Sequence, residues 1–173
     1  MKNSKKSFRP SLVSRPRSTT RAGRTMSDVI MTMRERFVER IMARIGEPYI
    51  WGDTDCSGIV EKAFNEIGIP LGDVSAAHLY DRFHNNKVMR TAAKIGSLYL
   101  YSNNMHELAI SHVMTLIKVW GNGTRILAGA RGGDSKVRTE KDAAERGAFV
   151  DVVLDSYWRT NLVMVVDPFI ENN

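Results

Sequence analysis

Few residues in this chain could carry chemistry, and one of them is unique: Cys56 is its only cysteine. A thiol acts as a nucleophile through its thiolate, so its surroundings decide whether it reacts or serves as a small buried hydrophobe. Cys56 follows Asp53-Thr54-Asp55 and precedes Ser57-Gly58, at the point where helical periodicity begins. The first turn of a helix has unpaired N–H groups and the positive end of the macrodipole, and both favour a thiolate. A nucleophilic cysteine also needs a base and a group that orients the base. Of the four histidines, His78 and His84 fall on a short polar helical stretch, and His106 in a polar loop beside Glu107. Solvated surface is the ordinary role for these three. His112 differs, because it stands between Ser111 and Val113 at the polar start of an apolar, β-branched run over 110–120. A satisfied core histidine is the bland alternative there. A helix-borne cysteine facing a strand-borne histidine, however, is the arrangement a papain-like site needs. The histidines and carboxylates show no metal-ligand spacing such as His-x-x-x-His, so neither a metal nor a cofactor is expected.

The elements that must hold these residues can be read from periodicity. Ile30, Met33, Phe37, Ile41 and Ile45 recur at steps of three and four, which predicts a helix from Ser27 that Gly46 and Pro48 end. Residues 46–55 read as a loop. A second helix over 56–67 carries the stripe Ile59, Val60, Ala63, Phe64 and Ile67; Asp53 or Asp55 caps it and Gly68 with Pro70 stops it. A third is expected at 75–84, capped by Ser75. The period then changes. Residues 96–102 alternate as a strand, 103–109 form a loop, and 110–120 and 124–130 make a hairpin around Gly121-Asn122-Gly123. The segment Arg131-Gly132-Gly133-Asp134 reads as a turn or loop, and further strands are expected at 148–154 and 161–167. Helices first and an antiparallel sheet second describe an α+β fold, with the helices packed on one face of the sheet.

Bulk properties narrow the rest. A chain of 173 residues with 43% hydrophobic content suits one domain with a real core, and no stretch is apolar enough to span a membrane. The net charge of +6 is uneven. Residues 1–25 hold eight Lys and Arg and no acid, so the remainder is slightly acidic. The pI near 9.6 therefore describes an arm rather than the domain over 26–173. The arm has too few apolar residues to order itself, so it is expected to be flexible or held by a partner. A nucleic-acid reading of the arm predicts steep salt dependence, but Phe8 is its one aromatic and base stacking is not suggested. Docking to an assembly protein is the favoured reading. No apolar segment follows the basic N-terminus as a secretory signal would require.

The motifs taken together resemble a known family. Pro48-Tyr49-Ile50-Trp51-Gly52, Asp55-Cys56-Ser57-Gly58-Ile59-Val60, Gly68-Ile69-Pro70-Leu71, Gly96-Ser97-Leu98 and Ser111-His112-Val113 occur in the order found in NlpC-type cell-wall cysteine peptidases. The resemblance covers about residues 46–135. It implies a compact papain-like fold and hydrolysis of amide bonds in peptidoglycan stem peptides, often beside D-glutamyl or diaminopimelyl residues. Cys56 would attack the carbonyl, His112 would act as general base, and the backbone N–H of Cys56 would help hold the oxyanion. Tyr49, Asp55 and Ser57 would serve the substrate or oxyanion side. Tyr49 has the alternative of a loop aromatic packed under the helix, and Trp51 is taken as structural. The family's third catalytic residue is usually a His, Asn or Gln on the strand after the histidine strand, where Ala128 or one of its neighbours stands in this chain. That gap keeps open a fold retained without its chemistry. The pattern from Tyr157-Trp158-Arg159 through Asp167-Pro168-Phe169 is similar to phage-associated members, which implies a virion or tail component made in the cytoplasm and docked through residues 1–25.

Overall fold

The computed structural model describes residues 26–103, 109–157 and 161–170, with side chains from Met33 onward except that of Tyr157. The basic arm, His106 and Trp158-Arg159 lie outside the described residues. Three helices come first: α1 (Met26–Met42), α2 (Cys56–Glu66) and α3 (Ala76–Phe83). Single 3-10 turns at His84–Asn86 and Arg90–Ala92 flank the short strand β1 (Lys87–Val88). Strands β2 (Leu98–Ser102), β3 (Ile110–Val119) and β4 (Arg125–Arg131) follow, then α4 (Glu140–Arg146), β5 (Phe149–Leu154) and β6 (Leu162–Val166).

Among the described residues the sheet has six strands in the order β1-β6-β2-β3-β4-β5, antiparallel throughout. This is the α+β architecture expected from the change of period. Two features were not foreseen. Residues 131–148 hold the helix α4, closed by a Thr139–Asp142 capping box and by Gly147 in the left-handed region. The last strand, β6, does not extend the sheet at β5. It returns between β1 and β2.

Alternation along the strands sorts the core into two layers. Leu98, Leu100, Val113, Ala128 and Ala130 face the helices, against Phe37, Ile41, Ile59, Phe64 and Leu79. The small side chains of Ala128 and Ala130 let the helix layer sit close to β4. Tyr99, Tyr101, Met114, Leu116 and Leu127 face the other way, into a second cluster closed by Ala93 and Val165. A buried ion pair ties the first helix to the end of β6: Arg34 Nη2 lies 3.0 Å from Asp167 Oδ2, and Arg34 Nη1 donates to the Ile95 carbonyl. The guanidinium also lies over the Phe169 ring, 5.1 Å from its centroid. Removing two charges from water is costly, and here each is held by more than its partner.

Candidate active site

The loop before α2 is folded around Asp55. Its Oδ1 accepts the backbone N–H of Ser57 at 3.1 Å and of Gly58 at 2.9 Å, and also the Ser57 hydroxyl. Its Oδ2 accepts the Gly52 N–H at 2.8 Å. Of the two acids that could cap the helix, Asp55 is the one that does. Its carboxylate is turned into its own loop, so it positions the helix start and the turn before it at once. Asp53, by contrast, is exposed and pairs with Lys62. Gly58 is dictated by the same packing: a Cβ there would stand 2.2 Å from the Asp53 carbonyl oxygen. Cys56 is thereby held at the first residue of α2, buried, at the positive end of the helix.

His112 is the third residue of β3 and is 6% exposed. It pairs across the ladder with Tyr101 of β2, and the two rings are tilted with centroids 6.3 Å apart. One cavity of about 260 Å³ is lined by Cys56, His112, Tyr49, Asp55 and Ser57 together, so the structure brings the five sequence-derived positions to one place. Ser57 is buried there, with its hydroxyl directed to Asp55. His78 and His84 are exposed and away from this cavity. The first closes the capping box of α3 with Ser75, and the second bonds the Asp81 carbonyl. Among the described residues no group of His, Cys, Asp and Glu is placed to hold a metal, and no helix is long and apolar enough to cross a membrane.

Tyr49 forms part of the cavity wall and is also packed. Its ring lies on Gly133, where a Cβ would come within 2.2 Å of it. Burial raises its phenol well above the ordinary tyrosine range, and the negative charges of Cys56, Asp55 and Asp134 add to the effect. The hydroxyl therefore remains a proton donor at any pH the site would meet. Trp51 is 44% exposed and lines the same cavity.

The strand after the histidine strand bears on the third catalytic position. Ala128 pairs with Thr115 and is fully buried on the helix side, so it does not stand beside His112. Thr115–Ala128 is the last pair of that ladder toward the cavity, and β4 runs on through Gly129 and Ala130 to Arg131, which lines the cavity with His112. Gly129 has no room for a larger residue, since a Cβ there would meet the Met114 sulfur at 2.4 Å. Sequence reasoning also missed the wall made by Arg131, Gly132, Gly133 and Asp134. The adjacent glycines signalled a tight turn, but only the fold sets that turn against Tyr49.

Comparison with known proteins bears on this fold. Residues 46–167 match the NlpC/P60 family. Among solved structures, the chain is similar to the peptidoglycan hydrolase RipB from Mycobacterium tuberculosis, at 21% identity over 83% of this chain and 67% of that one, with a TM-score of 0.55. It is similar to the P60 domain of an antigen from Mycobacterium avium subspecies paratuberculosis, at 18% identity over 83% of this chain and 99% of that one, with a TM-score of 0.57. It is also similar to RipD from Mycobacterium tuberculosis, a non-catalytic NlpC/p60 domain protein adapted to peptidoglycan binding, at 17% identity over 79% and 97% of the two chains, with a TM-score of 0.52. At these identities the structural likeness speaks for the fold alone. No curated protein matches the chain. The family match spans most of the described domain, including the helix of Cys56, the strand of His112 and the cavity between them, and the chain belongs to the NlpC/P60 family.

Proposed function

We propose that this protein is a cysteine hydrolase that cleaves amide bonds in peptidoglycan stem peptides. The observation that carries the reading is the shared cavity, in which a cysteine at a helix start and a buried strand histidine meet a tyrosine donor. In this mechanism His112 takes the Cys56 proton and the thiolate adds to the scissile carbonyl carbon. The carbonyl oxygen gathers negative charge, and the N–H of Cys56 and the Tyr49 hydroxyl are the candidate donors to it. Imidazolium then returns the proton to the leaving amine, and water releases the acyl group from sulfur by the reverse sequence. Asp55 and Ser57 act by holding the nucleophile's loop. Mass spectrometry of stem-peptide digests tests this: wild type is expected to cleave and Cys56→Ala to be inert. Cleavage that survives in Cys56→Ala, or none by wild type across several wall types, sinks the reading.

One observation favours a second reading. The strand after His112 presents Gly129 and Arg131 where the resemblance looks for His, Asn or Gln, and the similar RipD is a non-catalytic peptidoglycan-binding protein. A protein of this kind would bind wall fragments with Cys56 and with Ala in its place alike, and release no product. The finer placement, in a phage tail with residues 1–25 docked on a virion protein, rests on the basic arm and the C-terminal pattern of the sequence. Deleting residues 1–25 is expected to abolish incorporation into particles and leave peptide cleavage intact.

A further inference from the structure

Four large apolar side chains face water at the end of the sheet far from the cavity: Met89 is 73% exposed, Trp120 47%, Ile95 39% and Val119 38%. His112 stands near the start of β3 and Val119 is its last residue, about 20 Å along the strand. Hydrogen bonds bring the four to one end. Arg125, the ladder partner of Val119, donates from Nη2 to the Thr91 carbonyl at 3.0 Å. The Gly96 N–H donates to the Leu116 carbonyl at 2.7 Å. The segment from Met89 to Ile95 therefore lies against the tip of the β3–β4 hairpin, where Trp120 begins the turn. Single exposed apolar residues mean little, but a cluster of them marks a binding surface.

This end is also basic. Lys87, Lys94 and Lys118 are exposed, and Lys118 Nζ lies 5.9 Å from the Trp120 ring centroid. Between Asp81 and Asp134 the chain holds seven Lys and Arg against one acid, Glu107. Asp155 and Asp167, which follow β5 and β6 to the same end, are taken up by Arg90 and Arg34. The direction of α1 adds to the charge. Its Arg34 donates to the Ile95 carbonyl, whereas Gly46, beyond its last turn, donates to the Val150 carbonyl beside β4's cavity end. The helix thus starts at the basic end, and the eight Lys and Arg of residues 1–25 precede it. A soluble polyanion would match the cations but gives no reason for Met89 and Trp120 to be bare. An anionic lipid surface matches both: lysine stems lie along the acyl boundary with their ammonium groups at the headgroups, and a tryptophan ring sits at that boundary. We propose that this end, with Met89, Ile95, Val119 and Trp120 among Lys87, Lys94 and Lys118, docks on a bilayer rich in anionic lipid and holds the Cys56 cavity away from it. Docking of this kind is independent of any chemistry at Cys56.

Flotation of the full-length protein with vesicles of equal parts phosphatidylglycerol and phosphatidylcholine, and with vesicles of phosphatidylcholine alone, reads the partition coefficient. Binding to the first is expected to exceed binding to the second by about tenfold or more. Lys94→Gln with Lys118→Gln lowers the anionic partition by about 25-fold, since each cation near such a surface is worth about fivefold. Met89→Ser with Trp120→Ser lowers it by about tenfold or more, through lost apolar burial. Binding of a DNA duplex, a polyanion with no apolar phase, is unchanged by that second pair. All four positions are exposed, and circular dichroism checks that the variants keep the fold. Equal binding to both vesicles, or to neither, overturns the proposal. So does an anionic preference undiminished in either pair of variants, which leaves residues 1–25 as the whole attraction. Loss of vesicle and duplex binding together in Met89→Ser with Trp120→Ser marks a nucleic-acid surface and overturns it as well.

Discussion

Replacing Asp55 by Ala should cost this protein about 2–4 kcal/mol, although the side chain is small and sits in a loop. The carboxylate accepts three backbone N–H groups and one hydroxyl. Loss of a helix N-cap alone costs about 1 kcal/mol and up to about 2. Ser57 is buried, so its N–H cannot fully turn to water, and an orphaned buried donor costs about 1–3 kcal/mol. The Gly52 N–H is on an exposed residue and is rehydrated cheaply, which keeps the sum below the simple total. Asp55→Asn separates the contributions. Its remaining oxygen can keep Ser57 and Gly58, while its NH2 would face the Gly52 N–H donor to donor, so a loss of about 1 kcal/mol is expected. Urea denaturation reads both values, with the m-value unchanged. Alkylation of the buried Cys56 by iodoacetamide should accelerate in the same order, because the loop and first turn open together. An Ala variant within 1 kcal/mol of wild type, or an Asn variant as damaged as Ala, would refute the idea that this carboxylate holds the site by its geometry.

Other perturbations follow from the same packing. Gly58→Ala must displace the Asp53 carbonyl, so a loss of about 2 kcal/mol or more is expected, seen as a Tm lower by about 4–8 °C in calorimetry. Arg34→Met leaves the Asp167 carboxylate buried without its cation and should cost about 3–5 kcal/mol by urea titration; adding Asp167→Asn should recover part of it, giving a positive coupling in the double-mutant cycle. Alkaline stability should fall above pH 10. Tyr99 is pushed up to about 12 by burial, with Asp155 adding, and Tyr49 is raised further. Both hold their protons in the fold at a pH where the unfolded chain releases them. Stability is therefore whole below pH 10 and declines through pH 12, by at most about 1.4 kcal/mol per pH unit for each tyrosine. Urea midpoints at pH 9, 10.5 and 11.5 check this, and Tyr99→Phe should flatten the decline.

Much of this molecule was legible without coordinates, and the reasons are local. The stripe of Ile59, Val60, Ala63 and Phe64 has the period of a helix whatever it packs on, and Gly121-Asn122-Gly123 between two apolar runs bends the chain by its own dihedral preferences. Cys56 at a helix start and His112 at a strand start could be named for the same reason, since each depends on a few neighbouring residues. Helix α4 was missed because its seven residues carry one buried position, Ala143, too little apolar signal to show a period.

Sequence alone determined which residues could be nucleophile and base, the α+β order of elements, and the unequal charge of arm and domain. Tertiary structure alone decided what surrounds the pair. Strand register is a long-range property: one step of slip would exchange Ala128 for Gly129 on the helix side, and only the assembled hairpin shows Ala128 paired with Thr115 and buried against the helices. The cavity is likewise a product of contacts distant in sequence. Gly133 is bare because Tyr49 lies on it, and Arg131 is paired with Asp151 of the next strand, and neither partner is near in the chain.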